Sequence, residues 1–502
     1  MPVTACSVVP DARVCEQARL SRDPRFDGLF FTAVTSTRIY CRPVCPAPTP
    51  KPENITYFGT AAAAEAAGYR PCLRCRPELA PGDGTWRRGD AAVARALKLI
   101  EAGALSEQPL AALADRVGIG ERQLRRLFVE RIGAAPIGVH GTCRLLFAKQ
   151  LLTETRLPIT EVALAAGFGS LRRFNTTFRD AYRMAPRDLR KQPATDNGQT
   201  LTLRLGYRPP YDFPATLAFL RDRALPGVES VDATSYARVI GSAEYPGWLR
   251  VSAWPEDAPH SEHALRLELN GAAPAQLLDI VNRLRRMFDL DADPHAIATA
   301  LSTSRRLRPL LKKNPGVRLP GGWDGFEVAV RAILGQQVSV AAARTLASRM
   351  SQSYGCALAV PFGAGLRHLF PTPEVLADAD LTTIGLTRSR AETVRSMARA
   401  LLDGRVDFHA DRVLEDFITR WIALPGIGPW TAHYIAMRAL GHPDAFPAED
   451  LVLQRALPND GSRMTARMLS SHAEQWRPWR AYAVIHLWRD AMVAAKTTKA
   501  SA

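Results

Sequence analysis

The sequence lacks any apolar run long enough to cross a membrane, since a spanning helix needs about 20 predominantly apolar residues. Its first ten residues have neither the basic start nor the apolar stretch of a secretion signal. We therefore expect a cytoplasmic chain without a membrane partner. At 502 residues the chain is too long for one hydrophobic core, and this length suggests about three domains.

Acidic residues are too few to balance the basic ones. The chain has 65 Lys and Arg against 49 Asp and Glu, which gives a net charge of +16. Such an excess favours a polyanionic partner, because basic side chains on nucleic acid release condensed counterions. A generally arginine-rich composition would give the same excess, so charge alone leaves both interpretations open.

Cysteine is scarce beyond residue 75, since six of the eight cysteines lie within the first 75 residues. Clustered cysteines in a cytoplasmic chain indicate a metal site rather than disulfides. Cys41-x3-Cys45 and Cys72-x2-Cys75 form two short-spaced pairs. Each pair can supply one edge of the tetrahedron that Zn²⁺ prefers. A disulfide or free thiols are the alternative, and a thiol redox sensor is the function they would imply.

Composition divides the chain into three blocks. The first holds the cysteines and ends in "PELAPGDGT", which has the composition of a linker. The second is strongly helical and ends in the polar stretch "QPATDNGQ". The third opens with alternating, strand-like segments such as "TLTLRLGY" and becomes mostly helical from about residue 290.

The first block resembles a known family. "DPRFDGLFFTAVTSTRIYCRPVC" and "ENITYFGTAAAAEAAGYRPCLRC" resemble the N-terminal domain of Ada-type alkylation-response proteins. The resemblance implies that Cys41 accepts a methyl group from a DNA methylphosphotriester, with Cys45, Cys72 and Cys75 as the other zinc ligands. Methylation would remove one negative charge, so we expect tighter DNA binding and transcription activation, with RNA polymerase as a partner.

The second block contains one supersecondary unit twice. "PLAALADRVGIGERQLRRLF" and "PITEVALAAGFGSLRRFNTTFRDAY" each predict a helix, a glycine-containing turn and a basic helix. The second copy, with its Gly167-Phe168 turn and closing "APRDLR", resembles AraC-type regulators. A basic second helix suits the major groove of DNA, and a non-binding helical bundle is the alternative. The candidate DNA contacts are Arg122, Gln123, Arg172, Arg173 and Asn175.

In the third block, "LPGIGPWTAHYIAMRAL" predicts a tight turn at Gly426 and Gly428 whose N–H groups can approach a phosphate. Together with Trp430 and the later "FPAEDLVLQRALP", it resembles helix-hairpin-helix DNA glycosylases, the AlkA type in particular. The resemblance implies that Asp450 stabilises the cationic sugar or positions water as the base departs. Glu449 is the neighbouring alternative, but the resemblance aligns with Asp450.

The same resemblance implies an aromatic pocket. Trp430 and Tyr434 are four residues apart on one helix face, and Trp488 matches a second pocket tryptophan. Electron-rich rings attract cationic methylated purines, whereas core packing is the alternative role for Tyr434 and Trp488. Gln337 occupies the position of the family's leucine wedge, which fills the gap left by a flipped base.

Three absences narrow the predicted chemistry. Related enzymes that also cut the backbone carry a lysine directly after the hairpin, where this chain has Trp430, so we expect no lyase activity. The third block lacks the four cysteines of an iron–sulfur cluster. No "PCHR" segment of the guanine alkyltransferases occurs, so we expect no repair of O-alkylated guanine.

We therefore predict a multidomain chain that excises alkylated purines from double-stranded DNA and also acts as a methyl-activated transcription regulator. A regulator with a weak or inactive glycosylase is the alternative. The predicted domains are a small zinc-bound α+β domain over 1–84, an all-α tandem helix-turn-helix domain over 85–193, an α+β N-terminal lobe over 200–288, and a helical helix-hairpin-helix glycosylase domain over 289–495.

Overall fold

The computed structural model describes residues 9–82, 91–101, 103–190, 200–255, 263–409, 413–457 and 463–500. The predicted linker "QPATDNGQ" lies outside these residues. The chain forms two compact units: Met1–Pro209 with Trp254–Asn282 and Leu290–Asp293, and Pro210–Ala253 with Arg283–Asp289 and Pro294–Ala502. None of the helices described is both long and apolar enough to span a bilayer.

The helices up to residue 190 are α1 (Ala12–Leu20), α2 (Ala61–Ala66), α3 (Ala91–Glu101), α4 (Ala104–Glu107), α5 (Leu110–Val117), α6 (Glu121–Ile132), α7 (Pro136–Glu154), α8 (Ile159–Ala165), α9 (Leu171–Tyr182) and α10 (Pro186–Leu189). The later helices are α11 (Phe213–Arg221), α12 (Leu277–Met287), α13 (Pro294–Leu301), α14 (Leu307–Lys313), α15 (Gly325–Leu334), α16 (Val340–Tyr354), α17 (Pro373–Asp378), α18 (Arg388–Leu402), α19 (Leu414–Ile422), α20 (Pro429–Ala439), α21 (Leu451–Ala456), α22 (Ala466–Ala473) and α23 (Arg480–Ala500). The strands are β1 (Phe31–Val34), β2 (Ile39–Cys41), β3 (Ile55–Phe58), β4 (Arg70–Pro71), β5 (Leu201–Gly206), β6 (Glu229–Val231), β7 (Ser235–Gly241), β8 (Pro246–Ala253), β9 (Ala264–Asn270), β10 (Cys356–Phe362) and β11 (Leu366–Leu369).

The cysteine-rich block is the small α+β fold that the sequence predicts. Its four-stranded sheet has the order β3-β1-β2-β4, with β2 and β4 parallel and Tyr40 opposite Pro71. This register sets Cys41, at the end of β2, beside Cys72, which follows β4. The buried ring of Tyr40 and the alanines of α2 form the core next to the sheet.

The end of this block is packed rather than free. The guanidinium group of Arg208 is 0 % exposed and donates to the carbonyl oxygens of Asp27 (2.8 Å), Pro81 (3.3 Å) and Asp291 (2.8 Å). A buried guanidinium needs such acceptors, because an unsatisfied charge in the interior is costly. Residues 77–82, predicted from composition as part of a linker, are therefore part of a packed interior, and only the positions after 82 lie outside the described residues.

The predicted duplication in the second block is confirmed, and the repeated unit is larger than the sequence shows. Gly118 and Gly167, at φ 81° and 75°, form the turns of the two helix-turn-helix units. An arginine from an earlier long helix binds each turn: Arg95 of α3 donates to the Val117 carbonyl (2.8 Å), and Arg144 of α7 donates to the Ala166 carbonyl (2.8 Å). Each repeat therefore consists of three helices.

The third block begins with the predicted strands and continues mainly as helices. Strand β5 pairs antiparallel with β9 in the first unit, and β6, β7 and β8 form an antiparallel meander in the second. The expectation of a mostly helical remainder missed the β10–β11 hairpin, in which β10 is largely exposed and β11 has four residues. Leu366 of β11 is buried against Ala237 and Val239 of β7, so tertiary packing stabilises this hairpin.

Candidate metal centre and base-excision site

The four predicted metal ligands come together. The sulfur atoms of Cys41, Cys45, Cys72 and Cys75 all lie within 4.8 Å of one another, and each of these cysteines is free of a disulfide. Four thiolates at the usual Zn–S distance would be about 3.8 Å apart around a tetrahedral ion. The donor set and its spacing therefore fit Zn²⁺.

The four sulfurs need a compensating positive charge if all of them are to be thiolates. Hydrogen bonding with Cys45 raises the pKa of Cys41, and hydrogen bonding with Cys41 lowers the pKa of Cys72. Burial raises the pKa of Cys75. Four adjacent sulfurs cannot all be thiolates unless a positive ion compensates their charge. The backbone N–H of Arg42 already donates to the Cys75 sulfur at 3.3 Å.

Arg42 joins the candidate metal centre to the rest of its domain through hydrogen bonds. Its side chain donates to Asp27 (Nε to Oδ1, 2.8 Å) and to the carbonyl oxygen of Cys75 (2.9 Å). Cys41 and Cys45 are partly exposed, whereas Cys72 and Cys75 are buried. Solvent and substrate can therefore reach the first pair, and exposure does not distinguish between its two members.

The centre also contacts α7, the first helix of the second helix-turn-helix repeat. Lys149 of α7 is 1 % exposed and donates to the carbonyl oxygen of Cys72 (3.1 Å) and to Glu78 (2.7 Å). Arg76 pairs with Glu154 at the end of α7 (2.9 Å). Sequence reasoning missed this contact, since the lysine gave no signal that separates it from a solvated one.

The predicted DNA-contact residues lie near the start of the last helix of each repeat, α6 and α9. Arg122 and Gln123 are exposed in the first turn of α6. Arg172 and Arg173 are exposed in the first turn of α9, and Asn175 is half-buried one turn later. The start of a recognition helix is the end that meets base edges in the major groove, and the role of these residues stays a prediction.

The hairpin between α19 and α20 depends on one glycine more than on the other. Gly426 has φ 80°, and a Cβ there would lie 2.1 Å from Thr393 Oγ1. Gly428 has φ −95°, and a Cβ there would meet no atom within 4 Å. The prediction that both glycines shape the turn therefore has a steric basis only at Gly426, because Gly428 has a backbone conformation that other residues adopt readily.

We expect Gly426→Ala to destabilise the protein by about 1–3 kcal/mol, because alanine is strained at positive φ and its methyl group would displace Thr393. Urea unfolding of the full chain, followed by tryptophan fluorescence, measures this change. Gly428→Ala is the matched control and should stay within about 1 kcal/mol of the parent. Equal losses in the two variants would contradict the steric argument.

Asp450 contacts the indoles of both Trp430 and Trp488 through its carboxylate. It is the N-cap of α21, where Oδ1 accepts hydrogen bonds from the backbone N–H of Val452 and Leu453, both at 3.0 Å. The indole Nε1 of Trp430 donates to Oδ2 at 3.0 Å, and that of Trp488 donates to Oδ1 at 3.2 Å. All four donors are neutral, so they orient the carboxylate without cancelling its charge.

The predicted pocket aromatics form one continuous group. The rings of Trp430 and Tyr434 stack with centroids 5.2 Å apart, and Trp488 lies 6.2 Å from Tyr434. All three are half-buried, whereas the core tryptophans Trp421 and Trp476 are at most 1 % exposed. Accessible ring surface next to a carboxylate favours a binding pocket over core packing.

A charged side chain also positions Tyr434, because its hydroxyl oxygen accepts a hydrogen bond from Arg438 at 2.9 Å. Burial by itself would raise the pKa of Tyr434, but the positive charges of Arg438, Arg223 and Arg331 outweigh burial and lower it. The phenol therefore accepts hydrogen bonds from cations and is fixed in its stacked position.

Gln337 is exposed in the loop between α15 and α16 and has φ 55°. The preceding residue binds this loop to the hairpin, because Gln336 Nε2 donates to the Gly426 carbonyl oxygen (2.9 Å) and to Thr431 Oγ1 (3.0 Å). Arg390 in turn donates to the carbonyl oxygen of Gln336 (2.8 Å). Gln337, the candidate wedge, therefore lies beside the hairpin on a loop that hydrogen bonds restrain. Its positive φ is uncommon for a side chain of this size.

This fold and site define a helix-hairpin-helix base-excision enzyme joined to a metal-binding, helix-turn-helix regulator. Four family models agree. They are the metal binding domain of Ada (residues 14–78), a helix-turn-helix domain (113–192), the AlkA N-terminal domain (202–324) and the HhH-GPD superfamily of base excision DNA repair proteins (330–478).

Known proteins share this organisation. The chain is 40 % identical over 484 residues to a probable bifunctional transcriptional activator/DNA repair enzyme AlkA of Mycobacterium tuberculosis (strain ATCC 25618 / H37Rv), covering 95 % of this chain and 96 % of the relative. The chain therefore belongs to this family of bifunctional activator and DNA repair proteins.

Two further relatives each match one part. DNA-3-methyladenine glycosylase 2 of Escherichia coli (strain K12) is 37 % identical over 287 residues, covering 57 % of this chain and 95 % of the relative. The bifunctional transcriptional activator/DNA repair enzyme Ada of the same organism is 38 % identical over 154 residues, covering 30 % of this chain and 41 % of the relative. The predicted fold class is confirmed, and the domain boundaries stay predictions.

Proposed function

We propose that the chain releases alkylated purines from double-stranded DNA by hydrolysing the N-glycosidic bond. The observation that supports this is the carboxylate of Asp450, which is bound by the indoles of two half-buried tryptophans. As the base departs, the sugar becomes cationic, and a fixed negative charge beside it lowers the barrier. The neutral donors around Asp450 leave its charge available for this purpose.

The pocket also explains a preference for damaged bases. Alkylation at a ring nitrogen gives a purine a positive charge, and a cation is attracted to the faces of electron-rich rings. Trp430, Tyr434 and Trp488 supply those faces. A normal, neutral purine gains less from them, so the rings favour damaged over normal bases.

We propose hydrolysis without backbone cleavage. Trp430 lies in the first turn of α20, directly after the hairpin, and an indole nitrogen cannot form a Schiff base with the sugar. Water therefore completes the reaction, with Asp450 close enough to orient it.

We also propose that Cys41 accepts a methyl group from DNA methylphosphotriesters. The thiolate of Cys41 attacks the methyl carbon, an S–C bond forms, the C–O bond breaks, and its electron pair leaves with the phosphate oxygen as a diester anion. Bound Zn²⁺ would keep the sulfurs deprotonated at neutral pH. The methylated protein carries one negative charge less at the metal centre, so it repels the DNA backbone less. We therefore expect tighter DNA binding and, in the cytoplasm, activation of transcription through RNA polymerase.

One experiment tests both activities. The full chain is incubated with DNA carrying radiolabelled methyl groups, and released bases, strand breaks and protein-bound label are scored. We expect methylated purines in solution, no strand breaks, no borohydride-trapped adduct and label on Cys41. Absence of base release would overturn the glycosylase proposal. Purified protein without zinc and with a Cys41–Cys45 disulfide would favour the redox-sensor alternative.

A further inference from the structure

A second pocket, outside the aromatic one, is lined by arginines from three different elements. It encloses about 580 Å³ and includes Arg221 at the end of α11, Arg344 on α16 and Arg367 on β11. We call it the arginine pocket. Its volume lies within the range of small-molecule and cofactor sites in proteins.

The positive charge in the arginine pocket is not compensated within the described part of the chain. None of the three guanidinium groups has an ion-pair partner there. Glu229 is the acidic residue of the lining, and it already accepts from the Tyr236 hydroxyl (2.7 Å) and pairs with Arg331 (3.0 Å). The pocket therefore has a net positive charge.

His368 also lines the arginine pocket. Its Nδ1 is buried without a hydrogen-bond partner among the described residues, and a Cβ at Gly227 would lie 2.9 Å from it. This atom packs against the backbone of Gly227, so the arginine side chains are the groups that a ligand in the pocket would meet. Exposed guanidinium groups supplied to one pocket by separate elements suit a phosphate, which offers several strong acceptors.

Helix α16 links the arginine pocket to the site of base excision. Ser339 caps this helix just after the exposed Gln337, and Arg344 lies four residues after exposed Val340, on the same helical face. Along α16, at a rise of 1.5 Å per residue, Arg344 lies about 6 Å beyond Val340. Arg344 therefore lies in the early turns of the helix that directly follows the Gln337 loop.

We propose that the arginine pocket binds a backbone phosphate of the damaged duplex. The inference rests on the proposed glycosylase function, which supplies the duplex. A phosphate bound here would fix the register of the strand relative to Gln337 and Asp450. The three arginines would then act on DNA affinity and not on the chemical step.

The test compares the full chain with the double variant Arg344→Gln/Arg367→Gln in single-turnover base release. We expect the half-saturating DNA concentration to rise about tenfold or more, with the rate at saturation unchanged. The slope of log affinity against log salt should fall by about 0.9 for the lost phosphate contact. Arg399→Gln/Arg405→Gln is the matched control, since these arginines pair with Asp378 and Asp403 at 3.3 Å.

Several outcomes would overturn the inference. Unchanged affinity in the double variant, or an equal loss in the control, would show that the arginine pocket does not contact DNA. Binding of pyrophosphate to the parent chain and not to the double variant, with DNA affinity unchanged, would assign the pocket to a free phosphate compound. A parent chain that releases no base would instead refute the glycosylase proposal itself.

Discussion

We expect replacement of Asp450 with asparagine to lower the rate of base release by on the order of 10²–10³ while damaged DNA still binds, because the loss would be in transition-state stabilisation. Asparagine keeps the size of the side chain and can still cap α21 through its amide oxygen. It cannot place a negative charge beside the sugar. Its NH₂ group also cannot accept from the indole of Trp430, which now donates to Oδ2.

Single-turnover release of methylated purines measures this loss, and binding to a duplex with a stable abasic analogue shows that the site persists. Glu449→Gln is the matched control, because it removes one carboxylate from the adjacent exposed position. We expect the control to keep near-parental rates. A larger loss for Glu449→Gln than for Asp450→Asn would reassign the catalytic carboxylate.

Cys41→Ala should eliminate transfer of labelled methyl groups from DNA phosphotriesters to the protein. The variant lacks the attacking sulfur, and the methyl-dependent gain in DNA affinity should disappear with it. In the parent that gain should shrink as salt is raised, since it reflects removal of a negative charge near the backbone. Base release should stay at the parental rate, because Asp450 and the pocket aromatics are unaltered.

Two further variants separate chemistry from metal binding. Cys41→His keeps a zinc-binding side chain but lacks a thiolate, so we expect zinc to be retained and methyl transfer to be lost. Cys356→Ala removes a free cysteine outside the quartet and should transfer methyl groups normally. Parental methyl uptake by Cys41→Ala would place the acceptor elsewhere, with Cys45 as the first candidate because it is equally accessible.

Much of this protein could be predicted from local patterns. The two cysteine pairs identified the metal ligands because each pair is close in sequence, and the helical periodicity gave both helix-turn-helix repeats. Trp430 and Tyr434 were placed on one helix face by their spacing alone, and the rings do stack. In each case the residues that meet are neighbours along the chain, so the geometry of one element determines the contact.

Tertiary structure alone decided how distant segments meet. The parallel pairing of β2 with β4 places Cys41 beside Cys72, and helices α20 and α23 bring two indoles to one carboxylate. Lys149 contacts Cys72, and Arg208 is buried against Asp27. Local sequence patterns do not predict such contacts. They depend on which surfaces are buried against each other and on which acceptors surround a buried charge.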